Sequence, residues 1–100
     1  MEDIVAQHLP EIKHLMLQHG VERAFLFGSA VRGTMNEKND VDFIIKFPDN
    51  MNYVTYADNY FSLAEKLEDL LHKSVDLVME KTLKNPYLVQ VIDRIKLQLI

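Results

Sequence analysis

The sequence contains no cysteine. That excludes a disulfide scaffold, a thiolate metal site and a cysteine nucleophile, and it is compatible with a reducing compartment. Long apolar runs are missing too: none approaches the roughly 18–20 residues that a membrane span needs. Met1-Glu2-Asp3 places acids where a signal peptide would carry basic residues, and the cytoplasm is the expected compartment. Positive charge is scarce, with a formal net charge of −4. The surface as a whole therefore does not attract polynucleotide, no stable nucleic-acid binding is expected, and a small molecule or a protein suits the chain better as a partner. There is no internal repeat, low-complexity tract or linker. The four histidines, His8, His14, His19 and His72, fall into no metal-ligand spacing, and each is expected at the surface.

What remains is a folding sequence. Of 100 residues 48% are hydrophobic and 26% charged, which predicts one packed domain over residues 1–100. A domain this short buries a smaller share of its surface than a larger one, so a partner or a homo-oligomer would add to its stability. Segments of helical period alternate with short apolar runs, the pattern of an α/β domain. Residues 3–19 read as a short helical turn and a second helix starting near Pro10, with Gly20 as the stop. Arg23 to Phe27 reads as a strand apolar on both faces. Val41 to Phe47 reads as a second strand, with Val41, Phe43, Ile45 and Phe47 on one face and Asp40, Asp42, Ile44 and Lys46 on the other. From Tyr53 to Leu71 the i, i+3, i+4 pattern predicts a helix capped by Asn50 or Asn52, and the stripe Tyr53, Tyr56, Tyr60 reads as core packing with polar tips. Val75 to Met79 is a third strand. A last helix is predicted from about Tyr87 to the end, with Leu88, Val91, Ile92, Ile95 and Leu99 as its core stripe and Val89, Leu97 and Ile100 partly off it. The expected fold is a small α/β domain, a mixed sheet of about three strands packed against helices.

Three features carry chemistry. Gly28-Ser29 follows a strand and opens a helical turn; glycine lets backbone approach a ligand, and a helix start presents free N–H groups to phosphate. Arg32, one turn on, is placed to reach a phosphate oxygen. Asp40-Val41-Asp42 puts two carboxylates on one side of a strand, which is unfavourable unless a cation sits between them. A hard oxygen pair suits Mg²⁺, and Mn²⁺ also accepts such ligands. Asp76 stands in the middle of an apolar strand, pointing the way Asp42 can point. A third carboxylate there would complete a site for two metal ions about 4 Å apart, which hold the attacking and leaving oxygens of an in-line displacement. Taken singly, each feature has a plain reading as solvated surface: a carboxylate pair at a strand start, an edge-strand acid, an arginine after a turn. Nothing matches a Walker loop or a kinase glycine-rich loop.

Together, Gly28-Ser29-Ala30-Val31-Arg32-Gly33, Asp40-Val41-Asp42 and Asp76 in the next strand resemble the minimal nucleotidyltransferases of the DNA polymerase beta superfamily, over nearly the whole chain. Val31 stands where that family has a small alanine, and Asn39 where a serine often precedes the first aspartate. The resemblance implies the small nucleotidyltransferase fold and transfer of a nucleoside monophosphate from an NTP, AMP from ATP above all, with release of pyrophosphate. It implies that Asp40, Asp42 and Asp76 bind two Mg²⁺ or Mn²⁺ ions, that Asp76 helps deprotonate the attacking hydroxyl, and that Gly28, Ser29 and Arg32 hold the nucleotide's phosphates. Family members of this size often stand beside a HEPN-domain toxin and silence it by adding AMP, so a HEPN-type partner is expected. Two other functions remain open: a non-catalytic antitoxin that inhibits its partner by occlusion, and a transferase acting on small molecules, for which a second subunit would have to supply an acceptor pocket.

Overall fold

The computed structural model describes residues 3–27, 41–83, 85, 86, 90 and 97–100. Two short helices come first, α1 (Asp3–Gln7) and α2 (Leu9–Gln18), separated at His8. Pro10 sits in the first turn of α2, where its missing N–H leaves no helical bond unmade. Helix α2 buries Ile12 and Met16 completely. It ends where the pattern predicts, and the geometry shows why. Gly20 has φ +79°, its N–H donates to the Leu17 carbonyl at 3.1 Å, and the Val21 N–H donates to Met16 at 3.0 Å. This is a Schellman closure, which requires a left-handed residue at that position.

Strands β1 (Arg23–Phe27) and β2 (Val41–Lys46) pair antiparallel. Helix α3 (Tyr53–Leu71) then crosses over to β3 (Val75–Met79), which pairs parallel to β2. Of the two predicted caps for α3, the side chain that acts is Asn52, whose Oδ1 accepts the Thr55 N–H at 2.8 Å. Leu63, Leu67 and Leu71, spaced by four, form the fully buried stripe. A short 3₁₀ turn (Glu80–Thr82) follows β3 and is closed by the Thr82 hydroxyl donating to the Met79 carbonyl at 2.7 Å.

Among the described residues the sheet has four strands in the order β3-β2-β1-β4, the fourth being β4 (Leu97–Gln98) antiparallel on β1. Residues 97–100 therefore depart from the expected last helix, of which 87–89 and 91–96 lie outside the described residues. Pro86 and Gln90 are helical, but the chain ends extended along β1, and the Leu99 N–H donates to the Ala24 carbonyl at 2.8 Å. The outer edge of β1 would otherwise leave its backbone groups unpaired. Ile95, Leu97 and Leu99 also alternate with period two, so the apolar pattern suits either state.

The two faces of the sheet differ. One face presents Ala24, Leu26, Val41, Phe43, Ile45, Leu77 and Met79 to α2 and α3, and this is the main core. The other face is thinner, with Phe25 and Ile44 buried beneath Phe27, Val78 and Leu83. Two expectations about burial are corrected. His19 is buried (7% exposed): with Nδ1–H donating to the Leu15 carbonyl at 2.6 Å, Nε2 accepts the Ser62 hydroxyl at 3.1 Å, so it ties the end of α2 to α3. Tyr53, read with Tyr56 and Tyr60 as core packing, is 90% exposed, whereas the other two are half-buried. It stands in the first turn of α3, at the rim of a cleft it shares with Lys46 and Met79.

Candidate active site

Strand pairing decides what stands beside Asp42. In the parallel β2–β3 ladder Asp42 is the register partner of Asp76, and in the β1–β2 ladder it is the partner of Phe27. Adjacent strands lie about 4.8 Å apart and paired residues point to the same side, so the two carboxylates stand next to each other. Both occupy the thin face. Val41 and Phe43, flanking Asp42, are fully buried on the opposite face, and Leu77 beside Asp76 is 4% exposed. The core thus anchors both strands from behind while the acids face outward. Asp42 is half-buried and Asp76 exposed.

The thin face is organised in rows across the sheet. The first row is Phe27, Asp42 and Asp76. The second is Phe25, Ile44 and Val78, the small apolar cluster. The third holds Arg23 and Lys46, register partners, with Glu80 just past the end of β3. In this third row charges are matched: Arg23 donates twice to Glu80, at 3.0 and 2.8 Å, and Lys46 pairs with Glu22. The apolar row separates those basic groups from the acidic pair.

Of the sequence-derived site residues, the structure brings together Asp42 and Asp76. Gly28, Ser29, Arg32 and Asp40 lie outside the described residues, as do the expected helical turn over 29–32 and the loop that follows it. Their covalent neighbours are informative: Gly28 follows Phe27, the partner of Asp42, and Asp40 precedes Val41, the first residue of β2. Among the described residues no group of three acids or histidines gathers to hold a metal ion. The two adjacent carboxylates nonetheless have the donor chemistry that suits a hard divalent cation.

One neighbour was not read from the sequence as part of this region. The Tyr60 hydroxyl, on α3, donates to the Leu77 carbonyl at 2.7 Å, one residue past Asp76. Its pKa is raised above the ordinary tyrosine value, first by burial and then by the negative charge of Asp76. The signal available in the sequence was only its place on the buried side of an amphipathic helix. A cleft of about 530 Å³ lined by Lys46, Tyr56, Met79 and Lys81 lies at the other end of β2. At about 3.3 Å per residue this is roughly 13 Å along the strand from Asp42, so it is separate from the acidic row.

Residues 10–97 match the family model for the polymerase beta nucleotidyltransferase domain, and the chain belongs to that family. Protein adenylyltransferase MntA of Thermococcus cleftensis is 35% identical over 85 residues, which cover 85% of this chain and 79% of the relative. A solved structure of a protein inferred to be a minimal nucleotidyltransferase matches with a TM-score of 0.77 and 28% identity, covering 97% of this chain and 95% of the other. A chain of a toxin–antitoxin crystal structure with AMP-PNP matches with a TM-score of 0.70 and 26% identity, over 92% of this chain and 72% of that one. Among the described residues no helix is long and apolar enough to cross a membrane.

Proposed function

We propose that this chain is a metal-dependent protein adenylyltransferase, moving AMP from ATP to a hydroxyl of a partner toxin of the HEPN class. The observation that carries the reading is the register of Asp42 with Asp76 on one face of a nucleotidyltransferase sheet. A relative named as a protein adenylyltransferase and a like-folded chain in a toxin–antitoxin structure with AMP-PNP support the substrate and the kind of partner. The HEPN class itself follows from the resemblance in the sequence motifs.

In this reading Asp40, Asp42 and Asp76 hold Mg²⁺ or Mn²⁺. When bound, such ions draw charge from the phosphates and ease departure of pyrophosphate. Gly28 and Ser29 would hold the β- and γ-phosphates through backbone N–H groups and a hydroxyl, with Arg32 beside them. Asp76, on the exposed edge strand, is the acid an incoming hydroxyl can reach, and it takes up the proton released there. The acceptor oxygen forms a bond to the α-phosphorus, the bond from that phosphorus to the bridging oxygen breaks, and pyrophosphate leaves with the electron pair.

Calorimetry of ATP binding with and without Mg²⁺, for wild type and Asp42→Asn, tests the site. The wild type is expected to bind ATP with a strong metal dependence that the variant loses. If wild type, alone or with its partner, binds no NTP under any condition, the enzyme reading fails. Transfer of labelled AMP to the partner then separates catalysis from occlusion. Asp42→Asn should abolish labelling together with toxin inhibition, whereas inhibition unchanged by the variant would establish occlusion.

A further inference from the structure

Among the described residues Asp76 lies on the outermost strand of the sheet, which pairs there with β2 on one side only. The ladder fixes which backbone groups are used. Val41 N–H donates to the Ser74 carbonyl at 2.9 Å, so in this parallel pair Ser74, Asp76 and Val78 turn their amide groups toward β2. Val75, Leu77 and Met79 turn theirs toward the open edge. An edge strand held from one side is the part of a sheet freest to fray, and the position of Asp76 relative to Asp42 depends on that strand staying seated.

Tyr60 supplies a bond on the open side. Its hydroxyl donates to the outward Leu77 carbonyl at 2.7 Å. The ring is itself held, stacked on Tyr56 at 6.5 Å between centroids and edge-on to Phe61 at 5.3 Å. One turn further on, α3 is anchored by the buried Leu63, Leu67 and Leu71. We infer that Tyr60 is a positioning residue for Asp76: the α3 crossover, through this hydroxyl, pins β3 from its free side and keeps the two carboxylates level. The inference rests on the reading of Asp42 and Asp76 as a metal site, and it concerns a residue whose hydroxyl bonds the β3 backbone.

The test uses Tyr60→Phe, which removes one oxygen and keeps the ring stack. Tyr53→Phe is the control, since it takes an exposed hydroxyl from the same helix. Two quantities are read on the whole chain: Mn²⁺ affinity, by water-proton relaxation with Mn²⁺ as the probe, and amide hydrogen exchange. Tyr60→Phe is expected to bind Mn²⁺ about three- to tenfold more weakly, the loss of one ordinary hydrogen bond. The Asp76 and Val78 amides should exchange faster, while the β1–β2 amides and all properties of Tyr53→Phe stay at wild-type values. If wild type and Tyr60→Phe take up Mn²⁺ equally well, the inference is overturned even where exchange has quickened, because the hydroxyl then serves stability alone. If wild type takes up no Mn²⁺, the metal-site reading falls and this inference falls with it; the two failures are told apart by the wild-type curve.

Discussion

Replacing Gly20 by alanine isolates the closure that leads α2 into the sheet. Gly20 has φ +79°, and an alanine there must adopt the left-handed region, which costs an L-residue about 1–2 kcal/mol. Its Cβ would meet Met51 Cε at 3.0 Å, the far end of a flexible side chain that can move aside. Against this, alanine restricts the unfolded chain more than glycine does, which offsets about 0.4–1 kcal/mol. The balance is a loss of about 1 kcal/mol, a fall in Tm of about 4–8 °C for a domain of this size. Asparagine tolerates left-handed φ better, so Gly20→Asn should lose less. Thermal unfolding followed by circular dichroism measures both. Two residues on, the Glu22 N–H donates to the Lys46 carbonyl at 2.7 Å and starts the β1–β2 ladder, so the closure and the sheet share one short connection. Fully folded Gly20→Ala should keep wild-type Mn²⁺ affinity, because the register that sets Asp42 beside Asp76 lies in the β2–β3 pair. A Tm unchanged or raised by Gly20→Ala would refute the argument, as would a larger loss for asparagine than for alanine.

Asn52→Ala removes the cap of α3 and should lower stability by about 1 kcal/mol, read as a shift of the urea midpoint with unchanged slope. Tyr60 gives a pH dependence. Its folded pKa lies above the ordinary tyrosine value because of burial and the charge of Asp76, so the folded state holds its proton longer than the unfolded chain. The resulting stability is fully present below the unfolded value and is lost as pH rises through the folded one. Tyr60→Phe should flatten the alkaline fall in stability, and the tyrosinate absorbance of wild type should show a late step that the variant lacks.

Much of the local structure is legible in the residues themselves. The alternation across Val41–Phe47 separates the core face from the face of Asp42, and the spacing of Leu63, Leu67 and Leu71 defines the buried side of α3. Gly20 and Asn52 announce the helix ends through conformations and caps that few other residues provide. The second half of the picture is not local. Helical spacing placed Tyr60 on the inner side of α3, yet nothing in the sequence names the Leu77 carbonyl as its partner. His19 looked like one more surface histidine until Ser62, 43 residues away, closed its second hydrogen bond. The C-terminal apolar residues suited helix and strand equally, and the unpaired edge of β1 chose strand.

The sequence alone determined some of the parts: which residues face inward on β2 and along Leu63, Leu67 and Leu71 of α3, where α2 stops, and the acids offered by β2 and β3. These follow from backbone geometry over a few residues, so a few residues suffice to state them. Only the tertiary structure decided that Asp42 pairs with Asp76 rather than with Ser74 or Val78. A shift of two along β3 keeps every side chain on its own face and leaves the periodicity unchanged, so the pattern cannot choose between these registers. The choice is made by the length and docking of α3 and by the packing of Phe43 and Leu77 in the core beneath the two acids.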